Sequence, residues 1–505
     1  MSAEIRKSSV CVNKEIFLGS GQTVCQSDVI VPDAMPDALK VLMADGRAII
    51  ENSVLSKDKI GVRGRVECTI MYVPESARGV KSIKTDIPFT YTEDASGVDE
   101  KMILNVAAEV THIEFQLANS RKINVKCVVE IKTEVTGKEE IKYVSQIEGD
   151  GAEIKEKNLK GRNNVVDCHK NFVVSEKIPL SEKAEKLLKC DANVKSKDVK
   201  VINNKVVAKG ELGINMLYCT EGEMPEFETV TVPFTEILDA DGINEKQHSC
   251  VKYSIKDIGA EPIDTENGKA LQCDIVVGVD VTSDEDVEFT AVGDVYGTKN
   301  LLIPQMQNVK LKDAADEVYS NVEIREIVSL DEDMPPVEKI FEVNVKPYIN
   351  ECNAGSGGVK ADGTAVCTII YIADKEDGYI QSAQYELPFN SVFGGSYDFS
   401  CLVKAEAETV KADYSISGND IEIRALIKIS AEVLKEDNNN IVTDITEEED
   451  GGTDRPTMVL YFVQKGDTPW EIAKKYHSKI SEIEQINKLE GGEIREGMML
   501  LIPKK

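Results

Sequence analysis

Histidine is nearly missing from this chain of 505 residues, with four in all. His112, His169, His248 and His477 lie far apart in sequence, so no pair forms a local ligand set or a base with its orienting partner. No Gly-x-Ser-x-Gly nucleophile elbow is present. None of the twelve cysteines forms a C-x-x-C pair, which removes the usual zinc and dithiol spacings. No apolar run reaches membrane-spanning length, and residues 1–33 hold no apolar core of a secretory signal. Basic charge is also short. Lys and Arg total 59 against 89 Asp and Glu, for a net charge of −30. A polyanion is repelled by nucleic acid and by anionic membrane surfaces, so neither is an expected direct partner. These absences argue against an enzyme and predict neither metal nor cofactor. They place the chain in the reducing cytoplasm, where its thiols stay reduced.

What is present is repetition. Gly64 leads to Tyr72 and then Pro88-Phe89. Gly210 leads to Tyr218 and Pro233-Phe234, and Gly363 to Tyr371 and Pro388-Phe389. A spacing that recurs at intervals of about 150 residues marks a duplicated domain rather than a short solenoid unit. The Gly-to-Tyr segment alternates, with Val66, Cys68, Ile70 and Tyr72 on one face. Leu212, Ile214, Met216 and Tyr218 repeat that face, as do Ala365, Cys367, Ile369 and Tyr371. A later strand alternates too: Ile123, Val125, Cys127, Val129 and Ile131 align with residues 271–279 and 421–429. Cysteine shares these slots with Ile, Val and Ala, which marks small apolar core positions.

Before each Gly-to-Tyr strand the pattern predicts a short amphipathic helix, over residues 36–42, 184–188 and 335–341. The expected fold class is mainly β. Three tandem antiparallel sandwich or barrel domains, each with one short helix, would form a passive stalk ahead of a small α+β module. The expected domains are 10–150, 160–300 and 305–446, then an acidic and glycine-rich tether at 447–456, then 457–505. Gly355-Ser356-Gly357-Gly358-Val359-Lys360 lacks the ending of a phosphate loop and reads as a hairpin loop. Asp239-Ala240-Asp241-Gly242 and Asp331-Glu332-Asp333 complete no calcium loop and read as solvated turns.

The last module follows a strand, helix, helix, strand order. Val459 to Val463 is the first strand, Gly466-Asp467 a turn, and Thr468-Pro469-Trp470-Glu471 a capping box with proline at the first helical position. Ser481 to Glu484 forms a second such box opening a second helix with Ile483 and Ile486 facing inward. Asn487 ends that helix, and Gly497 to Pro503 is the final strand. The run from Tyr461 to Ala473, with Ile486-Asn487 and Gly497 to Pro503, resembles the LysM family. That resemblance implies a shallow groove for N-acetylglucosamine polymers, formed by Gly466, Asp467, Thr468, Pro469, Ile486, Asn487 and Lys488. Pro469 departs from the family, which usually has an apolar residue such as leucine there. The upstream copies, with their Gly-to-Tyr strand and Pro-Phe step, resemble the SPOCS family of spore-coat-associated domains. Together the two resemblances imply a non-enzymatic adaptor in endospore coat and cortex assembly. It would act in the mother-cell cytoplasm at the forespore surface, docking a SpoIVA-like coat-basement ATPase through the LysM module, with other coat proteins as further partners. The alternative they leave open is a peptidoglycan-binding protein of the cell wall or spore cortex.

Overall fold

The structure, a computed structural model, describes residues 4–75, 79–149, 151–180, 184–220, 225–266, 268–330, 334–373, 380–417, 420–448, 457–489 and 493–503. Copy one holds β1 (Glu4–Ile30), β2 (Ala38–Ser56), β3 (Lys59–Pro74), β4 (Lys81–Asp94), β5 (Ile103–Asn119) and β6 (Lys122–Glu148). Copy two holds β7 (Ala152–Pro179), β8 (Ala184–Ile202), β9 (Lys205–Thr220), β10 (Pro225–Asp239), β11 (His248–Thr265) and β12 (Gly268–Gly297). Copy three holds β13 (Leu301–Ser329), β14 (Val337–Gly355), β15 (Gly358–Ala373), β16 (Ile380–Phe393), β17 (Leu402–Ser417) and β18 (Asp420–Glu448). Each copy makes two three-stranded antiparallel sheets, ordered β1-β6-β5 and β2-β3-β4 in the first and equivalently in the others. The sheets pack face to face. The alternating residues Val66, Cys68 and Ile70 meet Ile123, Val125, Cys127, Val129 and Ile131 in one closed core. The buried cysteines Cys68, Cys127, Cys273 and Cys367 are fully enclosed, and all twelve thiols are free.

Register explains the repeated motif. Gly64 lies opposite Phe89, Gly210 opposite Phe234 and Gly363 opposite Phe389. The phenyl ring folds over the bare glycine. A Cβ on Gly64 would sit 2.5 Å from Phe89 Cζ and 2.3 Å from the Ile49 carbonyl oxygen, and one on Gly363 would meet Phe389 and Tyr348 as closely. The proline beside each phenylalanine falls on β4, β10 or β16, an outer strand of its sheet, where a missing N–H is tolerated. The tyrosine is buried, yet its hydroxyl is satisfied. Tyr72 donates to Pro36 O at 2.9 Å, Tyr371 to Pro335 O at 3.2 Å and Tyr218 to Glu226 Oε2 at 3.2 Å. Tyr72→Phe strands the Pro36 carbonyl and is expected to cost about 1 kcal/mol in a urea titration.

The expected helix in each copy does not form. Residues 38–42, 184–188 and 337–341 are the beginnings of β2, β8 and β14, and among the described residues the helices are confined to the C-terminal module. Bulges are the reason. Register shifts at Ala38/Lys40 and Val41/Met43, and at matching points in β8 and β14, break strict alternation. These strands are also buried on both faces. Ala38 and Val41 enter the copy's own core, while Leu42 and Met43 enter another. Apolar residues on both faces of a bulged strand imitate helical spacing.

That other core is shared by all three copies, which form a ring rather than a stalk. Strand β4 meets β8, β10 meets β14, and β16 meets β2. Leu42 and Met71 of copy one, Leu188 and Leu217 of copy two, and Phe341 and Ile370 of copy three fill the axis. The long antiparallel strand pairs β1-β6, β7-β12 and β13-β18 converge in a second axial core of Val12, Ile141, Leu159, Ala291, Leu311 and Ile441. Near the axis, Met43, Lys189 and Glu342 are equivalent by register, paired with Met71, Leu217 and Ile370. Lys189, 6% exposed at its side chain, reaches Asp191 at 2.7 Å, Asp45 at 2.9 Å and Glu342 at 3.7 Å. Lys346 reaches Asp45 at 3.2 Å. Burial works against the Lys189 ammonium, but Asp191 and Asp45 outweigh it and raise its pKa. Burial raises the Glu342 carboxyl, and Lys189 offsets this only in part.

The Gly355 to Lys360 segment is a hairpin, closed by the Gly355–Gly358 pair. Asp239 to Gly242 is a turn, tied back by the Ala240 and Gly242 N–H groups to Asn204. Asp331-Glu332-Asp333 lies outside the described residues. Of the expected tether, Glu447 and Glu448 extend β18 and residues 449–456 lie outside the described residues.

Candidate binding site on the C-terminal module

The C-terminal module consists of β19 (Met458–Phe462), α1 (Pro469–Tyr476), α2 (Ile480–Asn487) and β20 (Met499–Pro503), with β19 and β20 antiparallel. Its core is Val463, Ile472, Ala473, Ile483, Leu500 and Ile502. Thr468 caps α1: its Oγ1 accepts the Glu471 N–H, and Glu471 Oε2 accepts the Thr468 N–H, both at 3.2 Å. Pro469 is the first helical residue. The second capping box does not exist. Helix α2 begins two residues earlier, at Ile480, with Lys479 as N-cap and no side-chain cap. Ile483 is buried as expected, but Ile486 is 38% exposed.

The candidate groove residues fall into two groups. Asp467, Asn487 and Thr468 are spent internally. Asp467 Oδ2 accepts the Gln464 N–H and the Tyr461 hydroxyl, both at 2.7 Å. Those bonds hold its carboxyl below the usual range and push the Tyr461 hydroxyl up to about 12. Asn487 Nδ2 donates to Ile483 O at 2.8 Å and Leu501 O at 2.7 Å, while its Oδ1 accepts the Leu501 N–H at 2.8 Å. Asp467 is thus fastened to β19 and Asn487 to β20, one register step apart on a single sheet. Asn487→Leu removes three bonds at once and is expected to lower module stability by about 2 kcal/mol, read by hydrogen exchange at Leu501. Gly466, with φ of +91°, supplies a turn conformation that a side chain would strain. Gly466, Ile486 and Lys488 remain exposed and Pro469 half-buried. Beside them the outer face of the small sheet is apolar: Met458, Leu460, Phe462, Met499 and Leu501 are each between 37% and 54% exposed.

Sequence reading missed where the opposite side of the module goes. Helix α1 lies on copy two. Trp470 Nε1 donates to Asp294 Oδ2 at 2.8 Å, and Lys474 Nζ reaches Asp294 Oδ1 at 2.6 Å. Tyr296 stacks edge-on against Trp470 with centroids 5.0 Å apart, and its hydroxyl donates to Ser478 O at 2.9 Å. His477 Nδ1 lies 2.9 Å from Gly297 O. The signal for this latch lay in the repeats. The residues matching Tyr296 by register are Glu148 and Thr446, so copy two alone offers an aromatic ring there. Trp470 therefore docks the module as well as flanking its core. Burial works to raise the Asp294 carboxyl, but the bonds from Lys474 and Trp470 outweigh it and keep it low.

A depressed carboxyl contributes stability above its ordinary value, about 3.9, and loses it as pH falls through the lower folded value. The latch is therefore expected to persist at pH 5 and open only in stronger acid. Trp470 is the sole tryptophan, so a red shift of its emission reports opening directly. Asp294→Ala is expected to give the same red shift at pH 7, at a docking cost of about 2 kcal/mol.

The family model described as SipL, SPOCS domain, matches residues 37–118, 183–263 and 336–415. The model for the LysM domain matches residues 461–503. The chain carries three SPOCS domains and one LysM domain. This is a SipL-like architecture. It marks a sporulation-related protein with a module of peptidoglycan-binding type, and both domain families are non-catalytic. Each SPOCS match spans the second to fifth strands of a copy, while the first and sixth strands form the long antiparallel pairs of the ring. No curated protein and no solved structure gives a significant match. Among the described residues no helix is long and apolar enough to cross a membrane, and no group of three His, Cys, Asp or Glu is arranged to hold a metal.

Proposed function

We propose that this chain is a non-enzymatic adaptor of endospore coat and cortex assembly, whose LysM module docks a SpoIVA-like coat-basement ATPase at the forespore surface in the mother-cell cytoplasm. The observation that carries this reading is which way the groove's side chains point. Sugar recognition relies on polar groups facing outward. Here Asp467 and Asn487 bond to the module's own strands and the exposed Thr468 caps α1, while Ile486, Lys488 and the Met458–Leu460–Phe462 face point out. An exposed apolar face with a charged rim is the composition of a protein interface. The three SPOCS domains would serve as a rigid platform, with the latch on Asp294 setting the direction in which the module faces.

Peptidoglycan binding is the competing reading, favoured by the LysM match itself. Two assays separate them. Capture of the purified ATPase should succeed with the full chain and fail when residues 457–505 are removed. Sedimentation of the full chain with purified peptidoglycan should leave it in the supernatant. Cosedimentation without ATPase capture would overturn the adaptor reading.

A further inference from the structure

Two of the sandwich cores hold cysteines that touch each other. In copy one, β1 and β6 set Cys25 directly opposite Cys127. The same register sets Val174 opposite Ile275 in copy two and Ile324 opposite Ala425 in copy three. In copy two, Cys190 of β8 and Cys273 of β12 come from the two facing sheets of one core. Their equivalents are Ala44 and Val125 in copy one, and Val343 and Ile423 in copy three. At each site, then, one copy has cysteine on both partners and the other two copies have it on neither. A merely apolar slot behaves otherwise. Cys68 and Cys367 share a slot, and Cys367 packs in a core where Ile324 and Ala425 stand at the paired positions.

The geometry of both pairs suits a bridge. Directly opposed residues of an antiparallel pair have Cα atoms about 4.5–5.5 Å apart, and a disulfide spans about 4.4–6.8 Å. Cys190 and Cys273 join two sheets, as the inter-sheet bridge of immunoglobulin-type sandwiches does. The Cys25 thiol is hydrogen-bonded to that of Cys127, and the Cys190 thiol to that of Cys273. All four residues are 6% exposed or less. The bond to Cys127, and then burial, raise the Cys25 pKa, and the bond to Cys273, and then burial, raise that of Cys190. In the closed fold these two thiols are protonated and shielded, so their chemistry belongs to the stage before the sandwich closes.

We propose that Cys25 with Cys127 and Cys190 with Cys273 are two disulfide-forming sites, closed when the chain folds in the presence of a low-molecular-weight disulfide. At each site one protein thiolate attacks the small disulfide, forms a mixed disulfide and expels one thiolate. The second protein thiol loses its proton and displaces the other. One S–S bond of the reagent is reduced to two thiols as one forms in the protein. The reduced ring with free thiols and an oxidised ring with two internal bridges are then alternative forms of one fold. The bridges close loops of about 100 and 80 residues, so the oxidised form should resist unfolding more strongly.

The test is refolding of the full chain from urea, in dithiothreitol or in a mixture of reduced and oxidised glutathione. Alkylation, digestion and mass spectrometry then locate the bridges. Cross-links of Cys25 to Cys127 and of Cys190 to Cys273 are expected after the glutathione refolding alone. That product should keep the Trp470 emission of the reduced protein and have a higher urea midpoint, which dithiothreitol returns to the reduced value. Cys25→Val combined with Cys127→Ile installs the residues that copy two carries. It should lose the first cross-link, keep the second, and fold as before in dithiothreitol. Finding these four cysteines as thiols or as glutathione adducts after oxidative refolding would overturn the proposal. So would a bridge from Cys127 to Cys68, whose thiol it also meets, or cross-links confined to chains with red-shifted Trp470 emission.

Discussion

Lys189→Ala is expected to destabilise the protein by about 3–5 kcal/mol, read as a lower urea midpoint. The size follows from what the substitution leaves behind. Asp45, Asp191 and Glu342 face Lys189 from all three copies, and both Lys189 and Glu342 are buried. Without the ammonium, Asp45 keeps the Gly46 N–H and, as its one cation among the described residues, Lys346, and Glu342 must take up a proton or remain buried and charged. Replacing the pair by apolar groups is a different experiment. Met43 already occupies the equivalent site in copy one, so Lys189→Met combined with Glu342→Leu is expected to recover the part of the loss owed to Glu342, while Asp45 and Asp191 still lack the ammonium. A methionine, a lysine and a glutamate at one axial position give each copy a distinct neighbour.

Gly64→Ala is the second large effect, expected to cost about 3 kcal/mol or more. Its Cβ would stand 2.3 Å from the Ile49 carbonyl oxygen, which is backbone and cannot swing aside, and 2.5 Å from Phe89 Cζ. Gly61 in the same strand provides the control. Nothing lies within 4 Å of its Cβ position, so Gly61→Ala is expected to be neutral or slightly stabilising through the unfolded chain. Equal losses at Gly61 and Gly64 would mean that strand propensity, not the phenyl ring above Gly64, explains the motif.

The legible part of this fold was the part with strict periodicity. The face from Val66 to Tyr72 and the strand from Ile123 to Ile131 follow a period of two, because each strand lines one core, whereas the recurrence of Gly64 and Phe89 was visible but their pairing was not. The lengths were less legible. Strands of 27 to 30 residues such as β1, β7 and β12 run from their own sandwich into the axial core, so their apolar face changes partner along the way. Ala38 to Met43 read as a helix because two bulges and a second buried face broke the alternation. In the module, Thr468 and Pro469 announced α1 through local chemistry that needs no tertiary context. Asp467 and Asn487 stand out as expected groove residues through the LysM resemblance, while the bonds that brace them depend on Tyr461 and Leu501, which come from paired strands. The latch was hidden for the same reason: Asp294 and Trp470 are joined only by the fold.

The most direct test is the affinity of the full chain for the purified SpoIVA-like ATPase, compared with that of Lys488→Glu. Lys488 is exposed at the C-cap of α2, so the change should leave the melting temperature where it was. A loss of about tenfold or more in affinity, with the Trp470 emission unaltered, is the predicted result. Undiminished affinity in Lys488→Glu, together with full binding by a chain that ends before residue 457, would contradict the assignment of the LysM module as the docking head.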